Sequence, residues 1–437
     1  MKTLADFPDS AIITLGGGIS GQSAADEWIN GQWGVRMAGQ QADSLIQHST
    51  NPPIHESPAA ARIVIVAGEA SGDLHGARLV EALRQLAPQL IVEGMGGVQM
   101  RTAGVRLLAD ARETAVVGFL ELWEKRRTLR VALQRLRAHL ASVRPALLIL
   151  IDFPDFNLLL ARTAHRLGVP VCYFISPQVW AWRRGRIRTI RRLVRKMLVL
   201  FPFEEALYRR AGVDVTFVGH PLLDALAEVP PREVCRAALG IPETSQVLGL
   251  LPGSREAEAR RHLPLLLQAA SRLIVSRPDL QVLVGLAPTL DARAAATAVA
   301  ASGTKTRVIH GRTHEVIRAA DLLVAVSGTV TLEAAILGTP MIITYRLATI
   351  SYALARLLVH VRFIGLPNLV ANEGIMPELI QFDATPERLA AVTDEILGSP
   401  ERQARMRAAL GKVRTRLGTR GAAERAAQEV LGLLPAS

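Results

Sequence analysis

RIVIVAGEASGD, Arg62 to Asp73, is the stretch that decides the fold. An unbroken apolar run, Ile63–Ala67, stops at Gly68-Glu69-Ala70-Ser71-Gly72-Asp73, and apolar residues then return at helical spacing at Leu74, Leu79, Val80 and Leu83. A continuous β-branched run reads as a strand buried on both faces, and the change of period marks a strand–turn–helix unit. The unit recurs. Ala146–Ile151 enters Asp152-Phe153-Pro154-Asp155-Phe156-Asn157, and Val169–Ile175 enters Ser176-Pro177-Gln178-Val179-Trp180. Met197–Phe201 and Val215–Val218 follow, the last ending at Gly219-His220-Pro221. Beyond a Pro- and Glu-rich linker at Glu228–Glu233 the alternation restarts. Val247–Leu251 leads to Pro252-Gly253-Ser254-Arg255, and Gln281–Gly285 and Arg307–Ile309 come next. Asp321–Val326 then meets Ser327-Gly328-Thr329, a short helix from Val330 to Leu337, and the strand Pro340–Tyr345. Strands alternating with helices imply parallel sheets covered on both faces.

Two such series predict an α/β chain of two Rossmann-like domains with a cleft between them. The expected division is an extension over 1–58, a first domain over 59–225, a second over 226–399, and Ala- and Arg-rich helices over 400–437. The extension contains Gly16, Gly18 and Gly21 in dinucleotide-loop spacing. That motif needs a long helix and a second apolar strand within ~30 residues. Asp26, Glu27, Asn30, Gly31 and Gly34 stand there instead, so the segment reads as poorly ordered chain.

Composition narrows the function classes. The chain has 437 residues, 49% of them hydrophobic, enough for two buried cores. A net charge of +12 calls for an anionic partner: nucleic acid, an acidic membrane surface or a phosphorylated substrate. Two cysteines, Cys172 and Cys235, give neither a disulfide framework nor metal-ligand spacing, and both read as core residues in a reducing compartment. Asp6 and Asp9 interrupt any signal-peptide core, and no apolar run reaches the roughly 20 residues of a membrane span. The expected location is the cytoplasm.

In open α/β sheets ligands bind at the carboxyl ends of strands, where the polar residues of both series fall. Ser327-Gly328-Thr329 at a helix start suits a diphosphate, because unpaired N–H groups there attract anions. Glu333, one turn on, can accept from ribose hydroxyls. Helix capping by Ser327 or Thr329 explains the same residues equally well. Arg255 adds a guanidinium for phosphate oxygens, or ends an ordinary turn. Asp152 has no local capping job and can take a proton from an attacking hydroxyl, or it bonds a neighbouring loop. Asp155 reads as the N-cap of the following helix.

From Arg183 to Lys196 the chain carries Arg183, Arg184, Arg186, Arg188, Arg191, Arg192, Arg195 and Lys196 and no acid. Ile187, Ile190, Val194, Met197 and Leu198 form an apolar stripe, and Trp180 and Trp182 precede it. This pattern suits an anionic lipid surface. A solvated helix face is the alternative, but acids usually intersperse there. No Asp-x-Asp triplet and no His pair with ligand spacing occurs, which disfavours a metal-dependent reaction.

Several of these segments together resemble the lipid-A-disaccharide synthase family. They are Val66–Asp73, Ile151–Asn157, Ser176–Arg183, Val218–Pro221, Leu251–Arg255, Ser327–Thr329 with Glu333, and Leu366-Pro367-Asn368-Leu369. They stand in the family's order, from about Arg62 to the C-terminus. The resemblance implies a GT-B fold and transfer of 2,3-diacylglucosamine from its UDP conjugate to 2,3-diacylglucosamine 1-phosphate. The products would be the β-1,6 disaccharide 1-phosphate and UDP, formed with inversion and without cofactor or metal. By position it makes Asp152 the base. Arg255, Asn368, Glu333 and the Ser327, Gly328, Thr329 turn would hold UDP, and Glu69, Ser71, Gly72 and Asp73 would line the acceptor side. Trp182, Arg188, Arg191, Arg192 and Arg195 would touch the cytoplasmic face of the inner membrane. The resemblance implies no nucleic-acid partner and leaves room for a homodimer. Gly96-Gly97-Val98-Gln99-Met100 departs from the family's Gly-Pro-Arg-Met, and Gln178 stands where Ser is common.

Two rival classes remain. A sugar-nucleotide epimerase shares the twin-domain fold but needs carboxylates on both sides of one sugar. A nucleic-acid-binding protein uses the charge but leaves the strand-end acids without a role.

Overall fold

The computed structural model describes residues 61–111, 121–181, 185–349, 352–353, 356 and 361–435; in the helix that begins at Glu121, side chains are described from residue 127. The extension with its glycine motif, and Trp182, Arg183 and Arg184, lie outside the described residues.

The first domain holds β1 (Arg62–Ala67), β2 (Ile91–Gly96), β3 (Arg106–Asp110), β4 (Leu147–Ile151), β5 (Val171–Phe174), β6 (Lys196–Val199) and β7 (Val215–Phe217). They form one parallel sheet in the order β3-β2-β1-β4-β5-β6-β7. The second holds β8 (Val247–Leu251), β9 (Gln281–Leu286), β10 (Thr306–His310), β11 (Leu322–Val326), β12 (Met341–Tyr345) and β13 (Glu378–Ile380). These are parallel too, in the order β10-β9-β8-β11-β12-β13. All five residues of β4 are fully buried, as its unbroken Leu-Leu-Ile-Leu-Ile run requires. Each such side chain stabilises the fold by roughly 1.5–3 kcal/mol on burial. Helices cover both faces of each sheet, which gives the expected architecture.

In both sheets the order of strands reverses direction once, between β1 and β4 in the first and between β8 and β11 in the second. At such a reversal the flanking connections leave to opposite faces and open a crevice beyond the carboxyl ends. Ala67 pairs with Ile151, and Leu251 pairs with Ala325. The turn at Gly68–Asp73 therefore lies beside Asp152, and the turn at Pro252–Arg255 beside Ser327–Thr329.

The chain passes between domains twice, and the two passages are laced together. His220 N–H donates to the Leu417 carbonyl at 3.0 Å, and Asp224 accepts from Gly421 N–H at 2.9 Å. The Arg425 guanidinium reaches the carbonyls of Val218 at 2.8 Å and of Thr419 and Arg420 at 2.6 Å. The C-terminal stretch divides at this point. Helix Pro400–Arg416 buries Met406, Leu410 and Val413 in the second core, whereas helix Ala422–Leu431 buries Ala426, Ala427 and Val430 in the first.

The apolar stripe of the basic segment is not a surface feature. Helix Arg186–Leu193 ends where Val194 turns extended, and Met197 and Leu198 continue as strand β6. Ile190, Leu193, Val194 and Met197 are all spent in the core. Arg188, Arg191, Arg192 and Arg195 remain exposed. The expectation of an apolar face for lipid is thus corrected at these residues: one side of a short helix has to cover the sheet, and only the charged side is left.

Candidate active site

Asp152 follows the last residue of β4 with φ 45°, and Phe153 comes next with the same value, two consecutive non-glycine residues in the left-handed region. Such conformations cost about 1–3 kcal/mol each and persist only where the surroundings hold them. The Tyr173 hydroxyl donates to the Asp152 carbonyl at 2.5 Å, and Asn157 Nδ2 donates to the same oxygen at 2.7 Å. The reversed backbone lays the Phe153 ring over Gly68, where a Cβ would come within 2.2 Å of the ring. Glycine is therefore required at Gly68.

The Asp152 carboxyl is pushed up to about 6, first by burial, then by the neighbouring Glu69 charge, with the Phe153 N–H pulling the other way. A carboxylate with that affinity is ionised at neutral pH and still basic enough to accept a proton in a transition state. Glu69 is exposed and precedes helix Ala70–Leu86 without capping it, so its carboxylate is free to face the crevice. Ser71 is half-buried and Gly72 buried. Asp73 is different. Its carboxylate accepts from the N–H groups of Gly97 at 2.6 Å, Gln99 at 3.0 Å and Met100 at 3.0 Å, and it is buried. It caps the short helix Val98–Thr102, where this sequence departs from the family pattern. A Cβ at Gly97 would meet Asp73 Oδ2 at 2.6 Å, so a side chain there would displace the carboxylate.

Asp155 is not an N-cap. Phe153 holds that position of helix Pro154–Arg166, Pro154 opens it, and Asp155 in the first turn pairs with Arg186. Two further motifs meet at the same sheet edge. Trp180 Nε1 donates to Glu204 Oε1 at 3.2 Å, Phe203 packs edge-on against Trp180, and Phe201 stacks on Phe203 and touches His220. Burial raises Glu204 to about 7 against the hydrogen bonds it accepts.

At the other crevice no side chain caps helix Thr329–Leu337, whose N-cap is Gly328. The Ser327 hydroxyl donates instead to the Ile364 carbonyl at 2.9 Å. The capping alternative for Ser327 and Thr329 is thereby removed, and first-turn N–H groups remain without a side-chain partner, as an anion site needs. Arg255 precedes helix Glu256–Ser276, is 41% exposed, and lies 3.6 Å from Glu258. A guanidinium so loosely held can turn to a phosphate.

Glu333 and Asn368 have engagements the sequence did not reveal. Glu333 lies 3.3 Å from His314 Nε2. Burial lowers the His314 pKa, but the hydrogen bond and charge of Glu333 outweigh it and the net shift is upward. Asn368 is fully buried. Its Nδ2 donates to the Met376 carbonyl and to Glu378, both at 2.8 Å, and its Oδ1 accepts from Met376 N–H at 2.9 Å. Glu378 also accepts from Ile364 and Gly365 N–H, each at 3.0 Å. Asn368 and Glu378 together fold the loop that Ser327 touches, so Asn368 shapes this crevice from behind. His262 was also missed by the sequence reading. Its Nε2 accepts from Arg346 N–H at 2.9 Å, which makes Nδ1 the protonated atom donating to the Glu258 carbonyl at 2.8 Å. It ties the end of β12 to the helix after Arg255.

Among the described residues no helix is long and apolar enough to cross a membrane.

The family model described as lipid-A-disaccharide synthetase matches residues 63–430. Over 376 residues the chain is 49% identical to the lipid-A-disaccharide synthase of Syntrophus aciditrophicus, covering 86% of this chain and 98% of that protein. Over 373 residues it is 47% identical to that of Geobacter sulfurreducens, covering 85% and 97%. Among solved structures it resembles the UDP-GlcNAc 2-epimerase of Neisseria meningitidis bound to UDP-GlcNAc, with a TM-score of 0.58 at 12% identity, covering 85% of this chain and 100% of that one. The calicheamicin glycosyltransferase CalG4 gives 0.53 at 14%, covering 86% and 98%. At these identities the likeness shows the fold, the two-domain GT-B architecture of glycosyltransferases and epimerases.

Proposed function

The chain belongs to the lipid-A-disaccharide synthase family and is a glycosyltransferase of lipid A biosynthesis, and on that premise we propose the reaction its two crevices carry out. The donor is UDP-2,3-diacylglucosamine and the acceptor 2,3-diacylglucosamine 1-phosphate. Asp152 takes the proton of the acceptor's primary hydroxyl as that oxygen bonds to the donor's anomeric carbon. The bond from that carbon to the diphosphate breaks with its electron pair on the phosphate oxygen, leaving UDP. One displacement at one carbon inverts its configuration and gives the β-1,6 disaccharide 1-phosphate. Arg255 and the N–H groups at the start of helix Thr329–Leu337 stabilise the departing diphosphate. Glu333 holds the ribose, and its partner His314 keeps it in place until the nucleotide arrives. Glu69, Ser71 and Gly72 border the acceptor.

The observation that carries this reading is the placement of Asp152, raised to about 6 and set beside Glu69, at the strand-order reversal of the first sheet. The exposed Arg188, Arg191, Arg192 and Arg195 hold the enzyme at anionic lipid on the cytoplasmic face of the inner membrane, where both acylated substrates reside. The test is incubation with both acylated sugars, following UDP and disaccharide. Equal release of both supports the reading. An epimer of the donor sugar, formed without acceptor, would replace it with the epimerase chemistry of the fold neighbours.

A further inference from the structure

Tyr173 and Asn157 belong to no motif role assigned so far, yet both end on one atom. Tyr173 stands in β5 opposite Leu150 of β4, and Asn157 in the opening turn of helix Pro154–Arg166. Both are fully buried. Their donors meet at the Asp152 carbonyl oxygen, at 2.5 and 2.7 Å, and the second N–H of Asn157 takes the Ile151 carbonyl at 3.1 Å. That carbonyl shares its peptide group with the Phe153 N–H, which is the group that holds the Asp152 carboxyl down against burial and Glu69. One rigid plane thus carries the two buried donors on one edge and the carboxylate on the other.

We propose that Tyr173 and Asn157 are positioning residues that aim the Asp152 carboxylate by fixing the Asp152–Phe153 peptide plane, a role that rests on Asp152 being the base. The plane needs fixing because both residues flanking it sit at φ 45°, and a flip of the peptide, which changes ψ of Asp152 and φ of Phe153, would take Phe153 out of the left-handed region. A flip withdraws the Phe153 N–H from the carboxylate and turns a carbonyl oxygen toward it. Donation to the carbonyl also polarises the peptide, so its N–H holds the carboxylate more firmly. The titratable groups bearing on this unit are Glu69 from the turn after β1, Tyr173 from β5, Tyr208 from helix Pro202–Arg210, which acts on Tyr173, and Arg186, which is paired with Asp155 and also acts on Tyr173. Tyr173 stays protonated throughout, since burial raises its pKa well above 10. It is a donor at every working pH.

Tyr173→Phe removes the hydroxyl and keeps the ring. Without a firm Phe153 N–H, the remaining influences on Asp152, burial and Glu69, both raise its pKa. The acid limb of the kcat profile should move up by about one pH unit, so kcat should fall about twofold at pH 7 and about fivefold at pH 6. The deficit should shrink by pH 8.5, with UDP binding unchanged. Asn157→Ala should act in the same direction. A Tyr173→Phe enzyme with the parental limb and rate overturns the proposal, and so does a loss that is equal at all pH and tracks a lowered melting temperature. Asp152→Asn run alongside separates the two readings. If it keeps its turnover, the base assignment fails. If it loses turnover while Tyr173→Phe is unaffected, only the positioning role fails.

Discussion

Replacing Asp152 with Asn should move activity and stability in opposite directions. The ordinary aspartate value of 3.8 rises to about 6 in the fold, so the native state binds a proton that the unfolded chain has already released. Stability from this group is complete below 3.8 and is lost as pH rises through 6. A gap of this size corresponds to roughly 3 kcal/mol, and less here because the side chain is only part buried. Asparagine cannot ionise, so the variant should be about 1–2 kcal/mol more stable than the parent at pH 8 and no more stable at pH 4. Its turnover should fall ~10²–10⁴-fold, the usual loss on removing a general base. In the parent, Asp152 is about nine-tenths ionised at pH 7 and about one-tenth at pH 5, so kcat/KM should drop roughly ninefold between them. The assays are UDP release across pH 5–8 and urea unfolding at pH 4 and 8. A variant that is less stable than the parent at pH 8 would refute the buried-charge argument. Near-parental turnover would remove Asp152 from the chemistry and leave Glu69 as the nearest carboxylate.

Three other perturbations test separate parts of the reading. Asp73→Ala leaves the N–H groups of Gly97, Gln99 and Met100 without their acceptor and should cost roughly 2–4 kcal/mol in urea melts; unchanged stability with lost activity would return Asp73 to the acceptor side. Arg255→Ala should weaken UDP binding in calorimetry about tenfold with the melting temperature intact, whereas Asn368→Ala should lower the melting temperature because its three internal hydrogen bonds go. The reverse pattern would exchange their roles. Changing Arg188, Arg191, Arg192 and Arg195 together to Gln removes about 1 kcal/mol of surface attraction each. The variant should no longer sediment with anionic vesicles at low salt, and parental sedimentation would exclude this helix face as the anchor.

The strands that the sequence reveals are those in the middle of each sheet, because burial on both faces demands unbroken apolar runs such as Leu147–Ile151 and Leu322–Val326. The strands it hides are β2, β3 and β13. The first carries Glu93, Gly94 and Gly96 within its span, and the other two are short edge strands in which burial is incomplete. The basic segment misled for a related reason. Ile190 and Met197 fit one helical stripe in sequence, but a helix of eight residues and a strand share them.

By itself the sequence determined the α/β class, the two-domain count, the family, and the polar turns at strand ends, since each of these depends on local period and on residue types at strand ends. Strand order was a tertiary decision. Nothing in the spacing of Gly68 and Asp152, or of Ser254 and Ser327, says that their strands are neighbours at a reversal, because that depends on how distant strands pair. The same holds for the divided allegiance of the last two helices. It holds most of all for individual polar side chains. Asp73 and Asn368 look in sequence like ligands for a substrate, as Glu69 and Arg255 do. Only packing shows that the first two are buried and have spent their hydrogen bonds inside the protein, Asp73 on backbone N–H groups and Asn368 on Met376 and the Glu378 carboxylate, while the second two stand at the surface of the crevices.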